Sequence, residues 1–246
     1  MIDQFGLYCI THRGIPVDAD IVDSSITFHD DMIAQVVAMI RGGAKIIQYR
    51  NKDFFKKKSK SDFVNIKKLR KITRDAGVVF IVNDRLDVAL EVGADGVHLG
   101  QDDMSMNEAR NVLVKHFLNN MPQSVLAKTN EKNVVRKREF IVGRSTHSLE
   151  QALRAEKDGV SYISIGPVFS TLTKPDYKPV GLDVVRAVVR SVNIPVVAIG
   201  GITEANLYDV LDTGVKNVAM VREITEAKNI ETKVKNVNGA MSNYLT

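Results

Sequence analysis

The sequence predicts a single α/β domain over residues 1–246, a (β/α)8 TIM barrel, and three observations carry that prediction. Short, β-branched apolar runs recur eight times along the chain. Stretches with apolar residues three and four apart, the helical period, lie between most of them. The runs are apolar throughout rather than alternating, as parallel strands buried on both faces are. Eight strand–helix alternations close best as a barrel, with an open doubly wound sheet as the alternative.

Taken in order, the strand runs are Leu7 to Thr11, Lys45 to Arg50, Val78 to Asn83, Gly96 to Gly100, Glu139 to Gly143, Tyr162 to Gly166, Ile194 to Ile199 and Lys216 to Val221. Crossover helices are predicted over Asp31 to Arg41, Val64 to Ala76, Met106 to Phe117, Ser148 to Lys157, Leu182 to Arg190 and Thr203 to Leu211. The steps Ala94-Asp95-Gly96, Lys157-Asp158-Gly159 and Thr213-Gly214 stand just before strands. Their glycines are expected to supply left-handed helix caps. Segments 53–62 and 117–138 look like insertions into a lean barrel, and the tail after Asn238 is expected to be frayed.

Composition narrows the function classes. With 44% apolar and 26% charged residues the chain is neither disordered nor a fibre. One cysteine, Cys9, cannot form an internal disulfide, so a cytoplasmic setting is expected. No leader is recognised at the N-terminus and no apolar window is long enough to span a membrane. The net charge of +5 concentrates in runs such as Phe55-Lys56-Lys57-Lys58-Ser59-Lys60 and Arg136-Lys137-Arg138. No aromatic residues interleave with these bases, so they read as solvated surface rather than a nucleic-acid site. Small anionic substrates would equally account for positive charge near a site.

In a barrel the chemistry belongs at the C-terminal ends of the strands, and polar residues gather there. Gln48, Arg50 and Lys52 are spaced by two, hence on one face of an extended segment. Inward-pointing charges need an anionic ligand or an internal ion pair, with Asp84 or Asp103 as the partner in the second case. Asn83-Asp84-Arg85 and Gln101-Asp102-Asp103 end the third and fourth strands. Two facing carboxylates there suit a hard cation such as magnesium, although Asp102 could serve only as a helix cap. The loop Gly166 to Pro175 offers Ser170, Thr171, Thr173 and Lys174, and Gly200-Gly201 with Val221-Arg222 end the last two strands. Both resemble phosphate cradles, which suggests two phosphorylated substrates. His98 is expected as a hydrogen-bonded interior residue, His147 as a ligand contact or helix cap, and Cys9 as a small core residue. No zinc-type spacing is present.

Together these segments resemble the thiamine phosphate synthase family. Gln48-Tyr49-Arg50-Asn51-Lys52, Asn83-Asp84-Arg85, Ala94 to Asp103, Ser145-Thr146-His147-Ser148, Gly166 to Phe169 with Thr171 to Lys174, and Ile199 to Ile202 match its motifs in order. The resemblance implies a transferase that joins 4-amino-2-methyl-5-hydroxymethylpyrimidine diphosphate to a thiazole phosphate, carboxylated or not, through a pyrimidine-stabilised carbocation, with release of pyrophosphate. It implies that Gln48, Arg50, Lys52 and Asn83 hold the pyrimidine diphosphate, Asp84 and Asp103 hold Mg2+, and Ser145 meets the pyrimidine. Thr171, Thr173 and Lys174 would bridge the diphosphate and the thiazole phosphate, while Gly201 and Val221-Arg222 bind that phosphate. Tyr49, Asn51 and Leu172, inside the matching segments, count among the substrate-binding residues. Arg50, Lys52, Lys174 and Ser145 are the candidate catalytic groups.

One departure matters: Arg222 stands where the family has a small hydroxyl residue. It is either an added phosphate ligand or turned outward. Other readings are a thiazole tautomerase on the same barrel using His147, a barrel that binds a thiamine precursor without turnover, and a nucleic-acid binder. A homo-oligomer is expected by analogy with the family.

Overall fold

A computed structural model describes residues 5–12, 31–51, 60–120, 140–173 and 176–245. Eight parallel strands pair in sequence order and close on themselves. They are β1 (Leu7–Ile10), β2 (Ile46–Tyr49), β3 (Val79–Asn83), β4 (Gly96–Leu99), β5 (Ile141–Thr146), β6 (Tyr162–Ile165), β7 (Val196–Ile199) and β8 (Asn217–Met220). Closure is made by β1 on β8, with Leu7 opposite Val218 and Cys9 opposite Met220. The predicted barrel is the observed one.

Outside the strands run α1 (Asp31–Arg41), α2 (Lys60–Asp75), α3 (Leu86–Val92), α4 (Met106–Asn119), α5 (Leu149–Lys157), α6 (Gly181–Ser191), α7 (Leu207–Leu211), α8 (Arg222–Thr225) and α9 (Ile230–Leu245). Side chains alternate along each strand, so there are two cores. Leu7, Cys9, Ile47, Tyr49 and Phe80 point outward into the layer beneath the helices. Phe5, Tyr8, Ile10, Ile46, Ile81, Tyr162, Val197 and Ala219 fill the barrel itself. Three aromatics take much of that space, with Phe5 edge-on to Tyr8 at 5.6 Å.

Three expectations change. The fifth strand runs on to Thr146 rather than ending at Gly143, because Arg144 pairs with Leu99 and Thr146 with Ile165. Gly96 is not a left-handed cap: Gly93 is, with φ +65° at the end of α3, while Gly96 opens β4 where a Cβ would lie 2.2 Å from the Ile141 carbonyl oxygen. The tail after Asn238 is not frayed but forms the last turns of α9, which buries Ile230, Val234, Val237 and Met241. Of the supposed insertions, Phe117 belongs to α4 and is buried. Lys60 opens α2, and 53–59 and 121–138 lie outside the described residues.

Candidate functional site

The strand ends that point away from the helix C-termini surround a cavity of about 490 Å3. Each strand contributes through its inward-facing positions. On β2, Ile46 and Gln48 face in, and Arg50 continues that face just beyond the strand. Thr11, next to them, accepts a hydrogen bond from the Arg50 amide at 3.0 Å and donates its own amide to the Gln48 carbonyl, which holds the two strand ends together.

Of the predicted site residues, Gln48, Arg50, Asn83, Ser145, Thr171, Thr173, Gly201, Val221 and Arg222 all line this cavity. Tyr49 does not, because the period of two sends it outward into the helix-facing core, where its hydroxyl accepts from Asn51 Nδ2 at 3.2 Å. Asn51 is likewise buried off the cavity, and Leu172 is 76% exposed. Lys52 and Lys174 lie outside the described residues.

Asp84 follows Asn83 at the end of β3 and Asp103 lies in the loop after β4; neither lines the cavity. Asp84 adopts φ +63°, a left-handed backbone that Asp tolerates better than most non-glycine residues. Its amide donates to the His98 carbonyl at 2.8 Å, which fixes the turn. One oxygen of Asp103 accepts from the Gly100 amide at 2.6 Å. Burial lowers the proton affinity of Arg50, and the negative charge of Asp84 works against that. The internal pairing considered from the sequence is therefore present as a field between Asp84 and Arg50. Among the described residues no group of three or more His, Cys, Asp or Glu could hold an ion. A metal here would rest on two carboxylates and on substrate oxygens, the pattern magnesium favours.

The glycines after β7 are required by contact. A Cβ on Gly200 would lie 2.4 Å from Pro167 Cβ, and one on Gly201 would lie 2.5 Å from the Ser170 carbonyl. Both have positive φ, at +102° and +66°. The β6 and β7 loops are thus pressed together beside the cavity, tied by the Phe169 amide on the Gly200 carbonyl at 2.9 Å.

Arg222 lines the cavity but is paired, with its Nε 2.5 Å from Glu226. Sequence reasoning missed Lys233, which reaches the same end from α9 and bonds Glu204 at 2.7 Å and Glu223 at 2.9 Å. Its signal was the helical spacing of Ile230, Val234 and Val237, which stand ahead of the tail after Asn238. His147 meets the Gly166 carbonyl through Nδ1 and lies against Tyr177, with ring centroids 5.0 Å apart. His98 is the hydrogen-bonded interior residue expected, with Nδ1 at 2.9 Å from Tyr162 and Nε2 at 2.9 Å from Ser145. Burial pushes the Cys9 thiol up to about 12, so it stays protonated.

Comparison with known proteins places the fold and the length of the chain among relatives. The family model described as thiamine monophosphate synthase matches residues 20–118 and 125–224. A thiamine-phosphate synthase of Pelotomaculum thermopropionicum is 41% identical over 211 residues, 85% of each chain. That of Methanocella arvoryzae is 38% identical over 98% of this chain and 97% of its own. Among solved structures, a thiamine phosphate pyrophosphorylase from Pyrococcus furiosus superposes with a TM-score of 0.73 at 32% identity, covering 98% of both chains. With the barrel and the matched length in agreement, the chain belongs to the thiamine monophosphate synthase family.

Proposed function

We propose that this chain is a transferase that condenses 4-amino-2-methyl-5-hydroxymethylpyrimidine diphosphate with a thiazole phosphate to give thiamine phosphate and pyrophosphate. The observation that carries the reading is one cavity lined by Gln48, Arg50, Asn83 and Ser145 on one side and by Thr171, Thr173, Gly201 and Arg222 on the other. An isomerase of one thiazole substrate has no use for the first set.

The reaction breaks the bond between the pyrimidine methylene carbon and a diphosphate oxygen, whose electron pair leaves with pyrophosphate. The thiazole nitrogen then supplies its own lone pair to that carbon, so no general base is required. Charge grows on the diphosphate as the bond breaks, and preplaced cations stabilise that state more than the ground state. Arg50 is suited to this, being partly buried where its charge is poorly screened. We assign the same role to Lys52 and Lys174 from the motifs that contain them. Thr171 and Thr173 supply hydroxyls, and the turns at Gly201 and Val221-Arg222 hold the thiazole phosphate. The apolar walls from Val197, Ile199 and Ala219 keep water from capturing the carbocation.

Asp84 and Asp103 fit a magnesium ion by their hard oxygens and by their places after the adjacent strands β3 and β4. Magnesium bound there would neutralise diphosphate charge. Among the described residues no helix is long and apolar enough to cross a membrane. We place the reaction in the cytoplasm, with two small phosphorylated substrates as the partners, no nucleic acid, and a homo-oligomer as the assembly.

The reading is tested by oxidising the products of the purified chain to a fluorescent thiochrome after incubation with both substrates and magnesium. Thiamine phosphate is expected. Its absence in a chain that still binds thiazole phosphate would contradict the assignment.

A further inference from the structure

A line of side chains crosses the barrel at the floor of the cavity and links two of its walls. Gln48 Nε2 donates to the Tyr8 hydroxyl at 3.0 Å, and Tyr8 meets the Tyr162 hydroxyl at 2.9 Å. Tyr162 meets His98 Nδ1 at 2.9 Å, and His98 Nε2 meets Ser145 Oγ at 2.9 Å, with Ser164 Oγ a longer neighbour at 3.4 Å. Gln48, Tyr8, His98 and Ser145 line the cavity, and Tyr162 links them from below. The fold makes room for the middle of this line. A Cβ on Gly143 would lie 2.2 Å from Tyr162 Cζ and 2.5 Å from His98 Nδ1.

Each interior member has one proton to give along the line: a phenol has one O–H, and a neutral imidazole has one N–H and one lone pair. Burial raises the proton affinity of Tyr162 and of Tyr8, so both phenols keep their protons. If Gln48 donates to Tyr8, Tyr8 must donate to Tyr162 and Tyr162 to Nδ1. His98 then carries its proton on Nε2 and donates to Ser145, whose own O–H is released to the cavity. Gln48 is left with Oε1 as an acceptor and the second N–H of Nε2 as a donor. Turning the Gln48 amide over reverses every bond, and Ser145 then offers lone pairs while Gln48 offers N–H.

We propose that Tyr8, Tyr162 and His98 are positioning residues that impose one shared direction on this chain, so that Ser145 presents its O–H to the cavity when Gln48 Oε1 is open as an acceptor, and presents lone pairs when Oε1 is taken by Tyr8. Resting on the function proposed above, this makes the chain a specificity device. It suits a heterocycle that carries both an N–H donor and a ring-nitrogen acceptor, as an aminopyrimidine does, and it leaves a buried group unpaired against a ring with acceptors alone.

The direction is read by nitrogen NMR of the full chain labelled at its histidine ring nitrogens, without ligand. His98 is expected as a neutral ring protonated on Nε2. A proton on Nδ1, or a doubly protonated ring, would overturn the assignment. Tyr8→Phe, which does not touch His98, is expected to give a mixture of both His98 tautomers, because the constraint from Gln48 is cut. A ring still held wholly on Nε2 in that variant would show that no direction is shared. Tyr162→Phe is expected to lower kcat/KM for the pyrimidine diphosphate at least tenfold, with KM for thiazole phosphate within twofold. Unchanged kcat/KM would remove the specificity role. The NMR measurement needs no turnover, so a failure to form thiamine phosphate strikes the proposed function and leaves the chain's direction to be judged by itself.

Discussion

Arg222 stands where the sequence resemblance led us to expect a small hydroxyl residue, and its surroundings set its behaviour. The guanidinium lies on the cavity wall, yet Glu226 holds its Nε. Five donors in a planar fork leave others for a phosphate. Arg222→Ser is expected to raise KM for thiazole phosphate about tenfold, the loss of a charge-assisted bond, with KM for the pyrimidine diphosphate unchanged. An unaltered thiazole phosphate KM would assign the phosphate to backbone amides alone. The carboxylates make a different prediction. Asp84→Asn or Asp103→Asn should lower kcat on the order of a hundredfold, partly relieved at high magnesium, with little change in thiazole phosphate affinity. Equal loss of both would point to misfolding. Much of this site was legible because residues two apart in a strand share a face, which singles out Gln48 and Arg50. The same rule, applied to Tyr49, argues against the role that its place in the motif suggested. The chain through Tyr8, His98 and Tyr162 was not legible, because its links join strands up to 154 residues apart.

At the scale of the elements, continuous apolar runs gave the strands their positions, and three of the helices show where that signal fades. The seven residues of α3 are too few for a period to stand out, and they follow directly on the strand-end turn at Asp84. Only four residues form α8. In α9, Asn236, Asn238, Gly239, Ser242 and Asn243 are poor helix formers, and their composition masked a sound period of buried residues at Ile230, Val234, Val237 and Met241. Tertiary burial outweighs propensity there. Met241 is 2% exposed, so Met241→Ala should destabilise the fold by about 3 kcal/mol, visible as a clear drop in Tm. A Tm within a degree of the parent would return the end of α9 to a loose tail. On β5, Arg144, Ser145 and Thr146 interrupt the apolar run, so the strand reads as ending early. Those polar residues are where the sheet turns from core to cavity wall.

Across the whole molecule, the barrel separates the two kinds of core and leaves its mouth for polar groups. The outward layer takes the helices, and the interior is closed by Phe5, Tyr8 and Tyr162 beneath the cavity. Cys9 sits in the outward layer, buried, with its thiol held protonated. In the folded protein it should resist thiol reagents and react at once in denaturant, so modification rate reports global opening. Fast labelling of the native chain would contradict a closed barrel at β1. The mouth, by contrast, gathers residues from all eight strands or the loops that follow them, and the proposed reaction has both substrates occupy it jointly.

That joint use is tested most directly by pyrophosphate release from the pyrimidine diphosphate, measured with and without thiazole phosphate, at zero and millimolar magnesium. Release that requires the thiazole phosphate and the metal together is the predicted result. Release that is absent under every condition, in protein that still binds thiazole phosphate, would contradict a condensing enzyme.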